Sequence, residues 1–330
     1  MIRNTVWHGY QAVEFEAGGY EAMLIPGVGA NLVKLRHRAS GIDILRTPTP
    51  EEAETFASRP QIFGLPLLFP PNRIADGRYT CGEMTYQFPI TQQKEHNYHH
   101  GIIKGLPFTV TRCDDDGECV RIEARYYSNR VNDAIFMHFP HAFVCKMSFT
   151  LSDKGLEHTV SFKNLSDKPM PIGVGYHTPI VIPFAGGDGA DYRMRLSVGE
   201  RYELDDRNLP TGTLLPLDDQ FGKLRGEGMQ VTGCGAIEAG FSASPIEVDG
   251  KPYNGAVVTS PDGRSVYYRV DDKVHYWTLW NNGGTQQWAC PEPQSWATNA
   301  PNLALPAEKT GFETVAPGDK WKMTSQLYVK

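Results

Sequence analysis

Short runs of β-branched and aromatic residues recur along this chain about every ten residues, and turn-forming residues separate them. Residues 21–25 and 119–127 are examples, and residues 143–151 and 157–164 flank a Ser-Asp-Lys-Gly turn that predicts a β-hairpin. Helical periodicity occurs only around residues 50–58. Such regular strand spacing with almost no helix predicts an all-β fold, a large antiparallel β-sandwich or barrel.

The domain organisation can be inferred because nothing in the sequence interrupts this pattern of strands. No Gly/Ser-rich linker, change of composition or internal repeat divides the 330 residues. The 33 glycines and 24 prolines fit a chain with many turns. The sequence therefore predicts one domain that spans residues 1–330.

The charge distribution, the N-terminus and the cysteines indicate which kind of partner and which cellular compartment to expect. The net charge of -6 comes with scattered rather than clustered Lys and Arg, which argues against nucleic acid or a membrane surface as a partner. The N-terminus lacks the apolar region of a signal peptide, and no stretch approaches the roughly 18 apolar residues of a membrane span. The six cysteines form no CxxC pair, as expected of reduced thiols. We expect a cytoplasmic protein, monomer or homodimer, that binds a small polar molecule.

The sequence lacks the motifs that mark several common classes of enzyme and binding site. There is no Walker loop, no GxGxxG, no HExxH and no GxSxG. His96, His99 and His100 cluster near Glu95, but no further acid or cysteine nearby completes a ligand set. The sequence therefore predicts neither a metal site nor a cofactor.

What remains is a set of polar residues expected in loops between strands, where binding groups usually lie. Its members are Asn72, Arg73, His100, His177 and Glu292. Two histidines brought together by a fold could donate and accept protons near neutral pH. Glu292 lies between two prolines that would hold its backbone rigid. By local sequence alone, either histidine could equally belong to the core, and Arg73 and Glu292 could be ordinary surface charges.

The same residues lie in segments that resemble the aldose 1-epimerase, or galactose mutarotase, family. Residues 64–79 resemble its P-x-L-F-P-x-N-R-I-x-x-G-x-[FY] motif, and Asn97-Tyr98-His99-His100-Gly101 is similar to its N-x-x-H-G. Gly175-Tyr176-His177 is similar to G-[WY]-H, and Glu292-Pro293 is similar to the family's E-P. The resemblance covers most of the chain and implies the galactose mutarotase-like supersandwich fold.

Carried over residue by residue, the resemblance implies that Glu292 is the general base and His177 the general acid. His100 would be a third catalytic residue that orients and polarises the sugar, and Arg73 and Asn72 would bind it. The family often places a sugar-binding Asp three residues before a Phe. Here the corresponding segment is 237–241, which puts Glu238 at that position, with residues 217–221 as a rival alignment.

The function that follows is an aldose 1-epimerase, an isomerase of carbohydrate metabolism that interconverts the anomers of a free hexose. That reaction needs one base and one acid, and no metal or nucleotide. Aromatic residues near the motifs could stack on the sugar, namely Phe69, Tyr98, Tyr176 and Trp296, although core packing is the alternative for each. A hexose-6-phosphate 1-epimerase and a non-catalytic sugar-binding protein remain alternatives.

Overall fold

The computed structural model describes residues 1–129 and 135–330, and antiparallel β-sheet dominates them. One large sheet has eight strands in the described part of the chain. In spatial order its strands are Thr109–Asp115, Val120–Ser128, Phe143–Ser152, Gly155–Asn164, Lys320–Val329, Ser265–Val270, Gly255–Thr259 and Arg193–Leu196. The predicted hairpin is confirmed, because Phe143 pairs with Asn164 and Ser152 with Gly155.

A second large sheet runs through Pro210–Leu215, Val198–Leu204, Glu238–Ala243, Tyr276–Trp280, Trp288–Gln294, Gly175–Tyr176 and Leu67–Leu68. Ile180–Val181 also pairs with Trp288–Gln294. The strands of this sheet therefore come from segments that are far apart in the sequence.

A third sheet is a meander formed by the N-terminal residues. Its strands are Ile2–Trp7, Tyr10–Ala17, Tyr20–Ile25, Asn31–His37 and Ile42–Asp43. The small two-stranded pairs are Arg73–Ala75 with Asn97–His99, Arg78–Cys81 with Met84–Gln87, Met170–Ile172 with Glu313–Val315, and Ile246–Val248 with Lys251–Tyr253.

Helices are short. The α-helices of the described residues are Ala53–Ser58, Asp219–Gly222 and Ala307–Thr310, and the 3₁₀ turns are Pro50–Glu52, Pro60–Ile62, Gly189–Asp191, Lys223–Arg225 and Ala300–Asn302. The first of these confirms the helical signal around residues 50–58. In the described ranges, no helix is long and apolar enough to cross a membrane.

One hydrophobic core joins the three sheets. It contains Leu24 and Leu35 of the N-terminal meander, Phe162 of the first large sheet, and Trp277 and Leu279 of the second. The predicted all-β antiparallel sandwich is therefore confirmed. The interpretation as one domain over residues 1–330 stays a prediction, which this shared core supports.

Candidate active site

The second large sheet has one face in the core and one face on a polar cavity. Its core side carries Ala239, Phe241, Trp277 and Leu279. Its cavity side carries Glu238, Thr278, Trp280 and Glu292. Side chains alternate along a strand, and Thr278 pairs with Glu292 while Glu238 pairs with Trp280, so this set lies on one face.

The cavity has a volume of about 300 Å³, at the lower end of the range of ligand pockets. Residues outside this sheet complete its wall, at positions 59, 61–62, 72–73, 92, 99–100 and 177. All six residues that the sequence analysis selected lie here: Asn72, Arg73, His100, His177, Glu238 and Glu292. The alignment that selects residues 237–241 over 217–221 therefore puts Glu238 at the cavity.

Glu292 and His177 form the centre of this site. Glu292 Oε1 lies 3.3 Å from His177 Nε2, and the two side chains are only 2% and 4% exposed. Burial raises the pKa of Glu292 well above its ordinary value, and nearby Glu238 raises it further. Burial also lowers the pKa of His177 to about 3, with Arg59 as a second cause. A carboxylic acid beside a neutral imidazole is thus the state that burial favours.

The position of Glu292 differs from the sequence prediction, which put it in a loop. It lies in the strand Trp288–Gln294, whose residues are all buried. Prolines are tolerated here because the strand pairs with Tyr276–Trp280 on one side but makes only partial pairs on the other. On that other side it pairs through residues 288–289 and 294, so Pro291 and Pro293 need not donate there. Arg73 likewise begins a strand, Arg73–Ala75, rather than lying in a loop.

His100 approaches His177 from the turn that follows Asn97–His99. Its ring centroid lies 5.3 Å from that of His177, with the planes at 82°. His100 and Gly101 have φ values of 60° and 75°, so two successive residues adopt the left-handed conformation. A Cβ at position 101 would lie 2.9 Å from the Phe69 nitrogen, which explains the glycine.

His99 is a neighbour that the sequence analysis considered only as a metal ligand. Its ring lies against that of His100, with centroids 3.4 Å apart and the planes tilted by 33°. Burial lowers the pKa values of His99 and His100 well below the ordinary value, and the surrounding cations and histidines add to this. Both rings are therefore neutral at pH 7 and can serve as hydrogen-bond partners for hydroxyl groups.

Lys104 holds this histidine turn, and no sequence signal selected it. Its Nζ donates to the carbonyl oxygens of His100 at 2.6 Å and Gly101 at 3.1 Å. In the described ranges no carboxylate pairs with it. Burial lowers its pKa to about 8. The ammonium group of Lys104 is thus partly buried and bonded to the carbonyl groups of both left-handed residues.

Arg73 and Asn72 line the cavity beside the histidines, because Arg73 pairs with His99 and the Asn72 carbonyl accepts from the His100 N–H at 3.1 Å. Arg73 Nη2 donates to Glu238 Oε1 at 2.6 Å, and its Nε donates to Gln92 Oε1 at 3.0 Å. Asn72 Nδ2 donates to Thr278 Oγ1 at 3.0 Å, which ties this wall to the sheet. The guanidinium group is therefore held in a fixed direction, as binding a hydroxyl group requires.

The three histidines that the sequence analysis considered as metal ligands, His96, His99 and His100, do not form one group. His96 is exposed and bonds instead to Asp76 at 2.9 Å. A different set could hold a divalent cation, because donor atoms of His100, His177 and Glu292 all lie within 4.8 Å of one another. The same three groups can move protons without one.

The four aromatic residues near the motifs are in the core, which is the alternative that the sequence analysis gave for each of them. Phe69, Tyr98, Tyr176 and Trp296 are each 1% exposed. The aromatic side chain that lines the cavity is Trp280, whose ring lies 5.1 Å from that of His177 at 72°. For Tyr176 the cause is simple, since it precedes His177 directly and neighbours in an extended chain point to opposite sides.

Comparison with known proteins gives a family and a fold. A family model described as aldose 1-epimerase matches residues 11–328. A galactose mutarotase-like protein from Clostridium acetobutylicum is 36% identical, with a TM-score of 0.97 over 100% of this chain and 98% of that one. A galactose 1-epimerase from Lactobacillus acidophilus shares the fold at 14% identity and a TM-score of 0.75, over 100% and 99% of the two chains.

A curated relative adds a sequence match of narrower extent. The uncharacterized protein YihR from Escherichia coli K12 is 24% identical over 214 residues, or 63% of this chain. The matched part spans 62% of that protein's length.

Proposed function

The chain belongs to the aldose 1-epimerase family, and we propose that it interconverts the α and β anomers of a hexose at the cavity around Glu292 and His177. One observation carries the proposal: a carboxyl oxygen and an imidazole nitrogen lie 3.3 Å apart on the buried floor of that cavity. Two groups so placed can act together on the anomeric hydroxyl and the ring oxygen, which share one carbon atom.

Ring opening moves two protons, and it starts from the arrangement in which the proton shared by the pair lies on His177 and Glu292 is a carboxylate. Glu292 accepts the proton of the anomeric hydroxyl, whose oxygen becomes the aldehyde oxygen as the bond between C1 and the ring oxygen breaks. His177 donates a proton to the ring oxygen, which becomes the C5 hydroxyl. The site then holds a carboxylic acid and a neutral imidazole, which is the pair that burial favours.

Ring closure reverses these transfers. The aldehyde turns about the C1–C2 bond and presents its other face to the C5 hydroxyl. His177 takes the proton from that hydroxyl as the bond to C1 forms, and Glu292 returns its proton to the aldehyde oxygen. The product is the other anomer, and the pair recovers its starting protonation, so no external acid or base is consumed.

The remaining residues orient the sugar in this proposal. His100 polarises the reacting end through its neutral ring, and Arg73 and Asn72 bind hydroxyl groups. Glu238 accepts a hydrogen bond from Arg73 and is itself 41% exposed, so a second acceptor faces the opening of the cavity. Its side chain is one methylene longer than the Asp often found in the family, which would alter the sugar that fits.

Two alternatives predict different outcomes. A non-catalytic sugar-binding protein has no need of the buried acid–base pair. A hexose-6-phosphate 1-epimerase would need cations free to bind a dianion. Of the two arginines that line the cavity, Arg73 already pairs with Glu238.

Polarimetry tests the proposal directly. We expect the wild-type protein to accelerate the decay of optical rotation of freshly dissolved α-galactose or α-glucose. A panel of aldoses, extended to hexose 6-phosphates, identifies the preferred class. Equal rates with and without protein across the whole panel would contradict the enzymatic proposal, and sugar binding without acceleration would favour the binding protein.

A further inference from the structure

Arg59 is a cation at the cavity that the reaction above does not use. It lies between the helix Ala53–Ser58 and the turn Pro60–Ile62, is exposed, and lines the same cavity as His177 and Glu292. Across residues 1–129 and 135–330, its guanidinium group makes no hydrogen bond or ion pair. Arg73, by contrast, is paired with Glu238. The charge of Arg59 is therefore available to a ligand.

Gln61 gives a second, independent indication on the same segment. It also lines the cavity, and its Oε1 is buried without a hydrogen-bond partner among the described residues. A buried polar atom left unpaired costs free energy, which a ligand or water can recover by hydrogen bonding. Arg59 and Gln61 together thus form a polar subsite beside the proposed reaction centre.

The charge balance of the cavity leaves this subsite positive. Arg73 and Glu238 neutralise each other. Glu292 and His177 hold one proton between them whether it lies on the carboxyl or on the imidazole, so this pair adds no net charge. The cationic guanidinium of Arg59 is the charge that remains, and it favours a ligand with a negative group.

The position of Arg59 indicates where on the sugar that group would be. Arg59 is close enough to His177 that its charge contributes to lowering the histidine pKa. In the proposed reaction His177 acts at the ring oxygen, which is bonded to C5, and C5 carries C6. The substituent on C6 is thus the part of the sugar that lies toward Arg59 when the ring oxygen lies at His177.

We propose that the sugar this cavity binds best carries a single negative charge at C6, as a hexuronate does. The orientation rests on the proposed function, because it takes His177 as the partner of the ring oxygen. One planar guanidinium matches one carboxylate through two parallel hydrogen bonds. The unpaired Gln61 Oε1 can accept a hydrogen bond from a neighbouring sugar hydroxyl. A phosphate dianion at C6 would call for a further free cation, which the described lining of the cavity does not supply.

The test compares sugars that differ only at C6. Rates and calorimetric affinities are measured at pH 7 for D-glucuronate against D-glucose and D-galacturonate against D-galactose, with glucose 6-phosphate as a separate arm. We expect kcat/KM and affinity to be at least about tenfold higher for a uronate than for its neutral hexose. Added salt should reduce this ratio, because an exposed cation is screened.

Variants identify the residue responsible. In Arg59→Gln we expect the ratio of uronate to hexose kcat/KM to fall by about tenfold or more. Arg78→Gln is the matched control, since Arg78 is exposed, makes no side-chain hydrogen bond in the described chain and lies outside the cavity. It should leave the ratio as in the wild type.

The outcomes separate this proposal from the proposed function. Accelerated mutarotation of hexoses with no preference for uronates, in rate or affinity, overturns the subsite and leaves the epimerase standing. A stronger preference for the 6-phosphate than for the uronate overturns it as well. Uronate binding that depends on Arg59, without acceleration of any sugar, supports the subsite and contradicts the epimerase.

Discussion

Burial favours a single proton shared by Glu292 and His177, and this is the residue-level property on which the proposed reaction depends. Burial lowers the histidine pKa to about 3 and raises that of the carboxyl group. The pair therefore keeps a single proton over a wide range of pH. Ring opening and ring closure exchange its two arrangements, so each is a working state.

The pH dependence of the rate follows from this. A histidine with the ordinary pKa of 6.5 would gain a proton, and change the rate, as the pH falls through that value. Because the His177 pKa is lowered to about 3, that second proton is not taken up until far lower pH. We expect kcat/KM, after subtraction of uncatalysed mutarotation, not to fall between about pH 7 and pH 5.

Initial rates in a buffer series of constant ionic strength provide the measurement. A fall centred near pH 6.5 would contradict the lowered pKa and indicate a histidine exposed to water. Glu292→Asp, which keeps the carboxyl group but shortens it, serves as the comparison for effects of geometry.

The sequence identified the polar residues of the site well, but it identified the residues that surround them poorly. His100, His177 and Glu292 stood out because ionisable residues are unusual in apolar surroundings. Lys104 and Trp280 did not, because their places at the cavity come from tertiary contacts that no local pattern encodes. The aromatic neighbours of the site residues in sequence turned into the core, the alternative that the sequence analysis gave for each of them.

At the scale of elements, the site combines a rigid sheet with shorter connecting segments. Glu238, Thr278 and Glu292 lie on paired strands, so backbone hydrogen bonds fix their spacing. His100 lies on a turn whose backbone N–H donates to the Asn72 carbonyl at 3.1 Å, and Lys104 bonds to the carbonyl oxygens of its two left-handed residues. Lys104 is therefore a positioning residue for His100 in this account.

The variant Lys104→Met tests that role, since it keeps the length of the side chain and removes its donors. We expect kcat to fall by about tenfold to a hundredfold, because a small displacement of His100 is enough to misalign the reacting groups. KM should change far less. Lys104→Arg should recover part of the rate, and Lys94→Met, at an exposed position, should resemble the wild type.

Thermal unfolding of the same variants distinguishes positioning from a general loss of structure. A lower Tm and a higher KM with kcat unchanged would show that Lys104 only stabilises the fold. A lower kcat that Lys104→Arg partly restores would support its role in placing His100.

The elements themselves were partly predictable. The hairpin at residues 143–164 has a local turn and clear alternation, and it was found. Glu292 was expected in a loop because prolines flank it, whereas the sheet accommodates them where its pairing on one side is incomplete. That gap depends on strands from residues 175–181, which lie more than a hundred positions away.

At the scale of the whole molecule, the regular spacing of strand-like runs in the sequence predicted the fold class but not the order of strands in the sheets. Ser265–Val270 and Tyr276–Trp280 are joined by a short link, yet they lie in different large sheets. Gly155–Asn164 pairs with Lys320–Val329 at the far end of the chain. Such long-range pairings bury the common core, and a single sequence gives no local sign of them.

The core also contains histidines that should make stability depend on pH. His141 is fully buried and bonded to Tyr86, and burial lowers its pKa to about 4. His158, beside Tyr176, has its pKa lowered to about 3 by burial. The unfolded chain binds protons on these histidines below about pH 6.5, and the folded chain does not. Their contribution to stability is therefore complete above that pH and is lost as the pH falls.

Urea unfolding at pH 7.0, 6.0 and 5.0 measures this effect. Each such histidine adds a slope of up to about 1.4 kcal/mol per pH unit to the free energy of unfolding below pH 6.5. His158→Phe should show a shallower slope than the wild type, whatever its stability at pH 7. A free energy of unfolding that is constant between pH 7 and pH 5 would contradict the buried neutral state.

The central claim is that Glu292 and His177 interconvert sugar anomers by proton transfer, and NMR exchange spectroscopy tests it most directly. In an equilibrium solution of galactose, the anomeric signals report the rate of interconversion without a change in concentration. Wild-type protein should give exchange well above the uncatalysed rate, and Glu292→Gln should reduce that excess by about 10²-fold to 10⁴-fold while still binding sugar. Exchange that is no faster with the wild type than in buffer across aldoses and uronates, or undiminished in Glu292→Gln, would contradict the account.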